Sequence, residues 1–314
     1  MRTIYKTESG AIEEKEGFEP DVWINMISPS MEELTEVAKY YDIDIADLRA
    51  ALDEEESSRV QMEEGYTLIL VDIPFEEIRN EQRAYTTMPL GILLVRNAII
   101  TVCGDDTIIL NYFSNNRMRG FSTKKKMRFV YQILLRTTNL YQAFLRVIDK
   151  KRSEIEKRVG TDITEDSDLI NLHELDTNLV YFATSLSANS IVLERLTRYE
   201  RIELYPEDKE LLDDVIVENR QAIEMTNIYR DIIHGTRDLV SSMINNRMND
   251  IMKFLTSITL VMAIPTVISG LYGMNVASKW VPLANVPYGF LIICALAAII
   301  CVLVIIILRK LKML

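Results

Sequence analysis

Two long apolar stretches stand near the C-terminal end. Residues 254–275 (FLTSITLVMAIPTVISGLYGMN) and 286–308 (VPYGFLIICALAAIICVLVIIIL) contain no charged side chain. About 20 apolar residues cross a bilayer core as a helix, so both are predicted to span a membrane. The earlier pattern is different. Short runs rich in Val, Ile, Tyr and Thr predict strands at 2–6, 21–26, 58–63, 66–73, 84–95 and 98–103, with turns between them such as Arg96-Asn97. Ser30 with Glu33 forms a capping box for a helix over 31–41, and Asp44 caps another over 45–52. After Thr123 the strand and turn signals stop. Helical pattern covers 124–159, broken at Gly160, then 167–203, ending before Pro206. A third helix starts near 207, and no strand or loop signal interrupts it through 263. At 1.5 Å per residue it would rise roughly 85 Å.

The expected fold is therefore an α+β (α/β/α) domain, then long stalk helices, then a two-span helical membrane domain. The expected segments are 1–123, the 124–250 stalk, 251–275 as first span, 276–285 as connecting loop, 286–308 as second span and 309–314 as a basic tail.

Within the third helix, steps of three and four trace one stripe: Asp238, Ser242, Asn245, Asn249, Met252, Thr256, Thr259, Ala263, Thr266, Gly270, Gly273. A packed helical seam would carry Leu, Ile and Val. Here the stripe is polar or small, while Leu255, Leu260, Val261, Ile264, Val267, Ile268 and Leu271 fall mainly on other faces. Small and hydroxyl residues also let membrane helices pack closely, which accounts for Ala263 and Gly270. That alternative leaves Asp238, Asn245 and Asn249 unexplained, and a water-lined path accounts for them. One helix cannot enclose a path, so several copies must surround an axis. Met252, with Leu255 helping, would form the apolar constriction.

Charge sharpens the division. All 46 Asp and Glu precede residue 251, alongside 30 of the 35 Lys and Arg, a net of −16; the remainder carries five basic residues and no acid. The acidic excess excludes a nucleic-acid partner and suits divalent cations, although acid also simply keeps a domain soluble. Arg247 and Lys253 flank the first span, and Arg309, Lys310 and Lys312 follow the second, against one Lys279 between them. The positive-inside rule then places both ends in the cytoplasm, in the cell membrane, with Trp280 and Tyr288 at the outer interface. Cys103 stands alone in the polar part, Cys294 and Cys301 lie in the second span, and the N-terminus lacks the apolar core of a signal peptide. His173 and His234 belong to no catalytic pattern, so no enzyme is expected.

The first span ends in Tyr272-Gly273-Met274-Asn275. With two spans, a long helix and an acidic N-terminal domain, the chain resembles the CorA family of magnesium and divalent metal transporters. The resemblance implies a funnel-shaped homopentamer, with Gly273, Met274 and Asn275 as selectivity filter for hydrated Mg²⁺ and Asn249, Met252, Leu255 and Thr266 lining the pore. Gly and Asn also suit a helix C-cap. The resemblance further implies an acidic ring at Asp238, and regulatory Mg²⁺ between neighbouring subunits, with Asp214 on the stalk and Glu76 or Glu77 following a strand; Asp213 and Glu218 stand near Asp214. Two departures are visible. Ala263 replaces a bulkier residue, and the 276–285 loop has no acid. Transport of zinc, cobalt or nickel, and a membrane-tethered sensor without transport, are the alternatives. The first would favour His or Cys on the stripe and the second a Leu/Val seam.

Overall fold

The computed structural model describes residues 1–8, 10–79, 82–115, 118, 120–159, 166–198, 206–275, 281–283 and 286–313. The chain divides into two units, Met1–Arg237 and Asp238–Leu314. The strands are β1 (Arg2–Glu8), β2 (Ala11–Lys15), β3 (Val22–Ile27), β4 (Arg59–Met62), β5 (Tyr66–Arg79), β6 (Gln82–Val95) and β7 (Ala98–Cys103). The helices are α1 (Met31–Tyr41), α2 (Ile45–Ala50), α3 (Ile108–Ser114), α4 (Lys126–Val159), α5 (Asp166–Thr197), α6 (Pro206–Tyr272) and α7 (Gly289–Lys310).

The first unit is built on a seven-stranded sheet of order β2-β1-β3-β7-β6-β5-β4. Among the described residues the β3–β7 pairing is parallel and the other five are antiparallel. Side chains alternate between the faces of a strand, and here both faces are covered. Trp23, Ile69, Val71, Leu90, Ile92 and Ile99 pack with residues of α3, α4, α5 and the start of α6. Val22, Ile24, Leu68, Leu70, Leu93 and Ile100 pack with α1 and α2. The expected α/β/α layering is what the chain forms. The Ser30–Glu33 capping box and the Asp44 cap are both present.

Three elements differ from expectation. β2 was missed because AIEEK has no apolar alternation; it is a polar edge strand paired only with β1. The short α3 was missed too, although Thr107 caps it by accepting from the Ile109 N–H at 3.2 Å. Most consequentially, β5 continues past Pro74 to Arg79, so Glu76 and Glu77 lie within a strand, opposite Tyr85 and Ala84, not after one. Gly160, the expected break after α4, lies outside the described residues, whereas Gly235 leaves α6 unbroken.

The prolines of this hairpin explain its survival. Asp72 N–H donates to Asn189 Oδ1 at 2.9 Å, so at Asp72, and two residues on at Pro74, the backbone of β5 points away from β6. The N–H that Pro74 lacks would face the side where β4 has already ended at the Arg59–Leu70 pair. Pro89, opposite Asp72, faces the other side, beyond the Leu90–Cys103 end of β7. Neither proline breaks a ladder bond. At the open edge Asn189 of α5 acts as a substitute strand, because its Nδ2 also donates to the Asp72 carbonyl at 2.7 Å. Tyr141 Oη donates to the same carbonyl at 3.1 Å.

In the second unit α6 and α7 run antiparallel. Ser257 Oγ donates to the Met313 carbonyl at 3.0 Å, and Tyr272 Oη to the Pro282 carbonyl at 3.0 Å. Both helices are long and apolar enough to cross a membrane, and 6% of each apolar window is buried. That figure separates them from core helices of a soluble protein, which bury most of their surface.

The Asn189 bridge is testable. Asn189→Leu leaves the Asp72 N–H without its acceptor while Tyr141 still serves the carbonyl. An unmet buried donor costs about 1–3 kcal/mol. Thermal unfolding of the full chain in detergent should show a lowered midpoint, and an unchanged midpoint would mean the amide does not close the strand edge.

Candidate ion pathway and metal-ligating residues

At about 100° per residue, α6 presents distinct faces. Between residues 251 and 275 the positions withdrawn from solvent are Lys253, Ser257, Val261, Ile264 and Ile268. Their spacing of three and four puts them on one face, the face that meets α7. The stripe Met252, Thr256, Thr259, Ala263, Thr266, Gly270, Gly273 lies on the opposite face, and every member is exposed in the single chain. Asp238, Ser242, Asn245 and Asn249 are exposed too. The larger apolar side chains Leu260, Val267 and Leu271 lie on one flank, and Phe254, Ile258 and Met262 on the other; Leu255 borders the stripe. A helix so arranged has one side for α7, two greasy flanks and an exposed polar side.

The stripe threonines all use their protons the same way. Thr256 Oγ1 donates to the Met252 carbonyl at 2.7 Å, Thr259 Oγ1 to Leu255 at 2.8 Å and Thr266 Oγ1 to Met262 at 2.9 Å. With the proton committed to the backbone, each oxygen has only acceptor lone pairs left. Acceptors suit a hydrated cation, whose water shell donates outward.

Pro265 lies inside α6. It has no N–H, so the Val261 carbonyl four residues earlier loses its helical partner. In hydrocarbon such a group must find a donor within the protein. Cys301 of α7 supplies it, with Sγ 3.7 Å from the Val261 oxygen. Sequence inspection gave Cys301 no role, because the register between two spans is not written in either span.

At the far end of α6, the Gly273 N–H closes the last helical bond to Ser269 at 2.9 Å. A Cβ there would press on that same Ser269 carbonyl at 3.3 Å. Met274 and Asn275 follow, both exposed. Tyr272 ties this end to the connection through Pro282. Gly289, at the start of α7, is needed for space, since a Cβ would lie 2.2 Å from the Leu283 carbonyl. Lys279 and Trp280 lie outside the described residues; Tyr288 is exposed, just ahead of α7.

The acidic candidates of the first unit do not converge. Glu76 pairs with Arg83 at 3.2 Å and Glu77 pairs with Arg79. Glu218 Oε2 accepts from Gln142 Nε2 at 2.7 Å, which binds α6 to α4. Asp213 and Asp214 are exposed on α6. Among the described residues no three Asp, Glu, His or Cys side chains form a group able to hold a metal ion.

A family model described as CorA-like Mg²⁺ transporter protein matches residues 21–310. The chain is 33% identical over 301 residues to the cobalt/magnesium transport protein CorA of Methanocaldococcus jannaschii, covering 92% of this chain and 90% of that one. It is 24% identical over 297 residues to the cobalt/magnesium transport protein CorA of Thermotoga maritima, covering 92% and 82%. The complete structure of the CorA magnesium transporter from M. jannaschii superposes with a TM-score of 0.82 at 29% identity, over 99% of this chain and 98% of that one.

The Pro265–Cys301 compensation can be measured by a double-mutant cycle. Cys301→Ala strands the Val261 carbonyl and should lower the unfolding midpoint in detergent, by about 1 kcal/mol in stability. Cys301→Ser keeps a donor and should hold the wild-type midpoint. In a Pro265→Ala background the helix closes its own bond, so Cys301→Ala should then cost little. Equal losses in both backgrounds would show that the thiol does not serve that carbonyl.

Proposed function

Because the chain belongs to the CorA-like Mg²⁺ transporter family, we propose that it is a homopentameric channel passing hydrated Mg²⁺, and Co²⁺ as a second cargo, through a path lined by α6. The observation that carries this reading is the polar, exposed face of α6 directly opposite its contact with α7. Copies of α6 around an axis would turn that face inward, leaving the apolar flanks for neighbouring copies and α7 for lipid. Closed rotational symmetry is the ordinary way to build such a ring.

The chemistry follows from what Mg²⁺ demands. It holds its octahedral water shell tightly and gives it up slowly. A path that accepts hydrogen bonds from that shell avoids dehydration. Thr256, Thr259, Thr266, Asn249 and Asn245 supply neutral acceptors, and Ala263 and Gly270 supply room. Asn275 carboxamides and main-chain carbonyls at Gly273 and Met274 form the filter, where uncharged ligands bind weakly enough to release the ion. Met252, bordered by Leu255, is the apolar constriction, and Asp238 draws cations to the mouth. The stripe carries no His or Cys, which disfavours softer ions such as Zn²⁺ as principal cargo.

Functionally we divide the chain into a cytoplasmic α/β domain (1–123), a stalk (124–250), the pore span (251–275), the outer loop (276–285), the outer span (286–308) and a basic cytoplasmic tail (309–314). The antiparallel α6–α7 pair supports this topology, since the Ser257–Met313 contact puts Lys253 at the same end as Arg309 and Lys310. For regulation, Asp214 of one subunit and Glu76 or Glu77 of a neighbour would share a Mg²⁺, with Asp213 and Glu218 close by. Bound Mg²⁺ would offset repulsion between domains of net charge −16 and hold the closed state, and its loss would let the stalks move.

Two measurements test this. Asn275→Ala removes one acceptor per subunit from the filter, and Mg²⁺ flux into reconstituted vesicles should fall by about tenfold or more, given about 0.5–1.5 kcal/mol per lost hydrogen bond. Near-normal flux in an assembled mutant would defeat the filter assignment. Asp214→Lys places a fixed cation where the regulatory metal would bind. Inhibition by internal Mg²⁺ should weaken while conductance of the open channel holds, and an unshifted inhibition curve would exclude Asp214 from the regulatory site.

A further inference from the structure

A cavity of about 160 Å³ lies in the first unit where β6, the last turns of α4 and the first half of α5 meet. Nothing in the proposed ion pathway uses it. Its lining is chemically divided. Asn178 is 1% exposed, and its Oδ1 has no hydrogen-bond partner among the described residues. The buried Oε1 of Glu174, one helical turn earlier on the same face, has none either. Two buried acceptors lacking donors are unfavourable unless something supplies N–H or O–H groups. One belongs to a carboxylate, which calls for a positively charged donor.

Basic side chains line the cavity as well: Lys151 and Arg158 from α4, with Glu154 between them in sequence, and Arg83 from β6. Arg158 pairs with Asp168 at 2.5 Å. Lys151 Nζ donates to the Arg83 carbonyl at 2.9 Å and stands 5.3 Å from the Tyr85 ring centroid, so two of its three N–H groups are not engaged by that bond. The Arg83 side chain is 73% exposed. Ile155 and Leu175, both buried and apolar, line the cavity too.

We propose that this cavity binds a small zwitterion of the aliphatic α-amino acid class. Its ammonium meets Glu174 and Asn178, its carboxylate meets Lys151 and Arg83, and its side chain packs on Ile155 and Leu175. A simple anion would bring like charge to Glu174. A divalent cation would face three basic side chains and, among the described residues, no group of three ligating Asp, Glu, His or Cys. A diamine would set its second charge against the basic side. Only a ligand with both charges satisfies both ends. Because Arg83 also pairs with Glu76 at 3.2 Å, a carboxylate bound here competes with Glu76 for one guanidinium.

The test is calorimetric titration of the full chain in detergent with L-valine, L-leucine and L-methionine, each alone. Controls are 4-methylpentanoate, which lacks the ammonium, and isoamylamine, which lacks the carboxylate. Saturable binding of at least one amino acid is expected, weaker by about tenfold or more for both controls. Glu174→Gln should weaken it to a similar degree. Lys151→Gln alters a partly exposed side chain and should also weaken it, which keeps the test open if the buried change impairs folding. Absence of saturable binding to all three amino acids in folded protein would overturn the proposal. So would equal binding of a control, or affinity unchanged in both variants. None of these outcomes depends on whether the protein conducts ions.

Discussion

The need to satisfy every backbone hydrogen-bonding group along α6 is the constraint on which the rest depends. The helix starts in the sheet-containing unit and ends in the apolar one, so the residues that pack on the sheet and those that form the polar stripe belong to one element. Within hydrocarbon every backbone donor and acceptor must be met by protein. The polar stripe does not relieve that demand, because threonine hydroxyls give their protons back to carbonyls of the same helix. Pro265 breaks the ladder at one bond, and α7 closes the gap from outside.

The same economy governs the sheet. Pro74 and Pro89 fall where the strand beyond has already ended, and Asn189 completes the edge that β4 leaves open. In both units a side chain from a neighbouring helix substitutes for a missing regular partner. These substitutions also fix register, since Asn189 can serve only one residue of β5 and Cys301 only one carbonyl of α6. A shift of α5 or α7 along its axis would forfeit them.

Period made most of the architecture legible. Runs rich in Val, Ile, Tyr and Thr mark the sheet's central strands, the capping box marks α1, and steps of three and four separate a polar stripe from its apolar flanks. That stripe is indeed the face α6 turns away from α7. What escaped has a common cause. β2 pairs only at an edge, α3 is a two-turn helix, and β5 crosses a proline that sequence rules treat as a stop. The roles of Asn189, Cys301 and Tyr272 depend on which residue of one element meets which residue of another. The acidic candidates show the same limit. Glu76, Glu77, Asp213, Asp214 and Glu218 could be named, but the Gln142 hold on Glu218 and the arginine partners of Glu76 and Glu77 could not.

The bond between Cys301 and Val261 has a consequence for biogenesis. The two residues are 40 positions apart, and the ribosome delivers the carbonyl first. Until α7 emerges, the Val261 oxygen has no donor, and lipid can offer none. An α6 segment released alone into the bilayer would therefore carry an unmet polar group. The insertion machinery should retain α6 beside it until α7 arrives, so that the two enter the lipid as a preassembled hairpin.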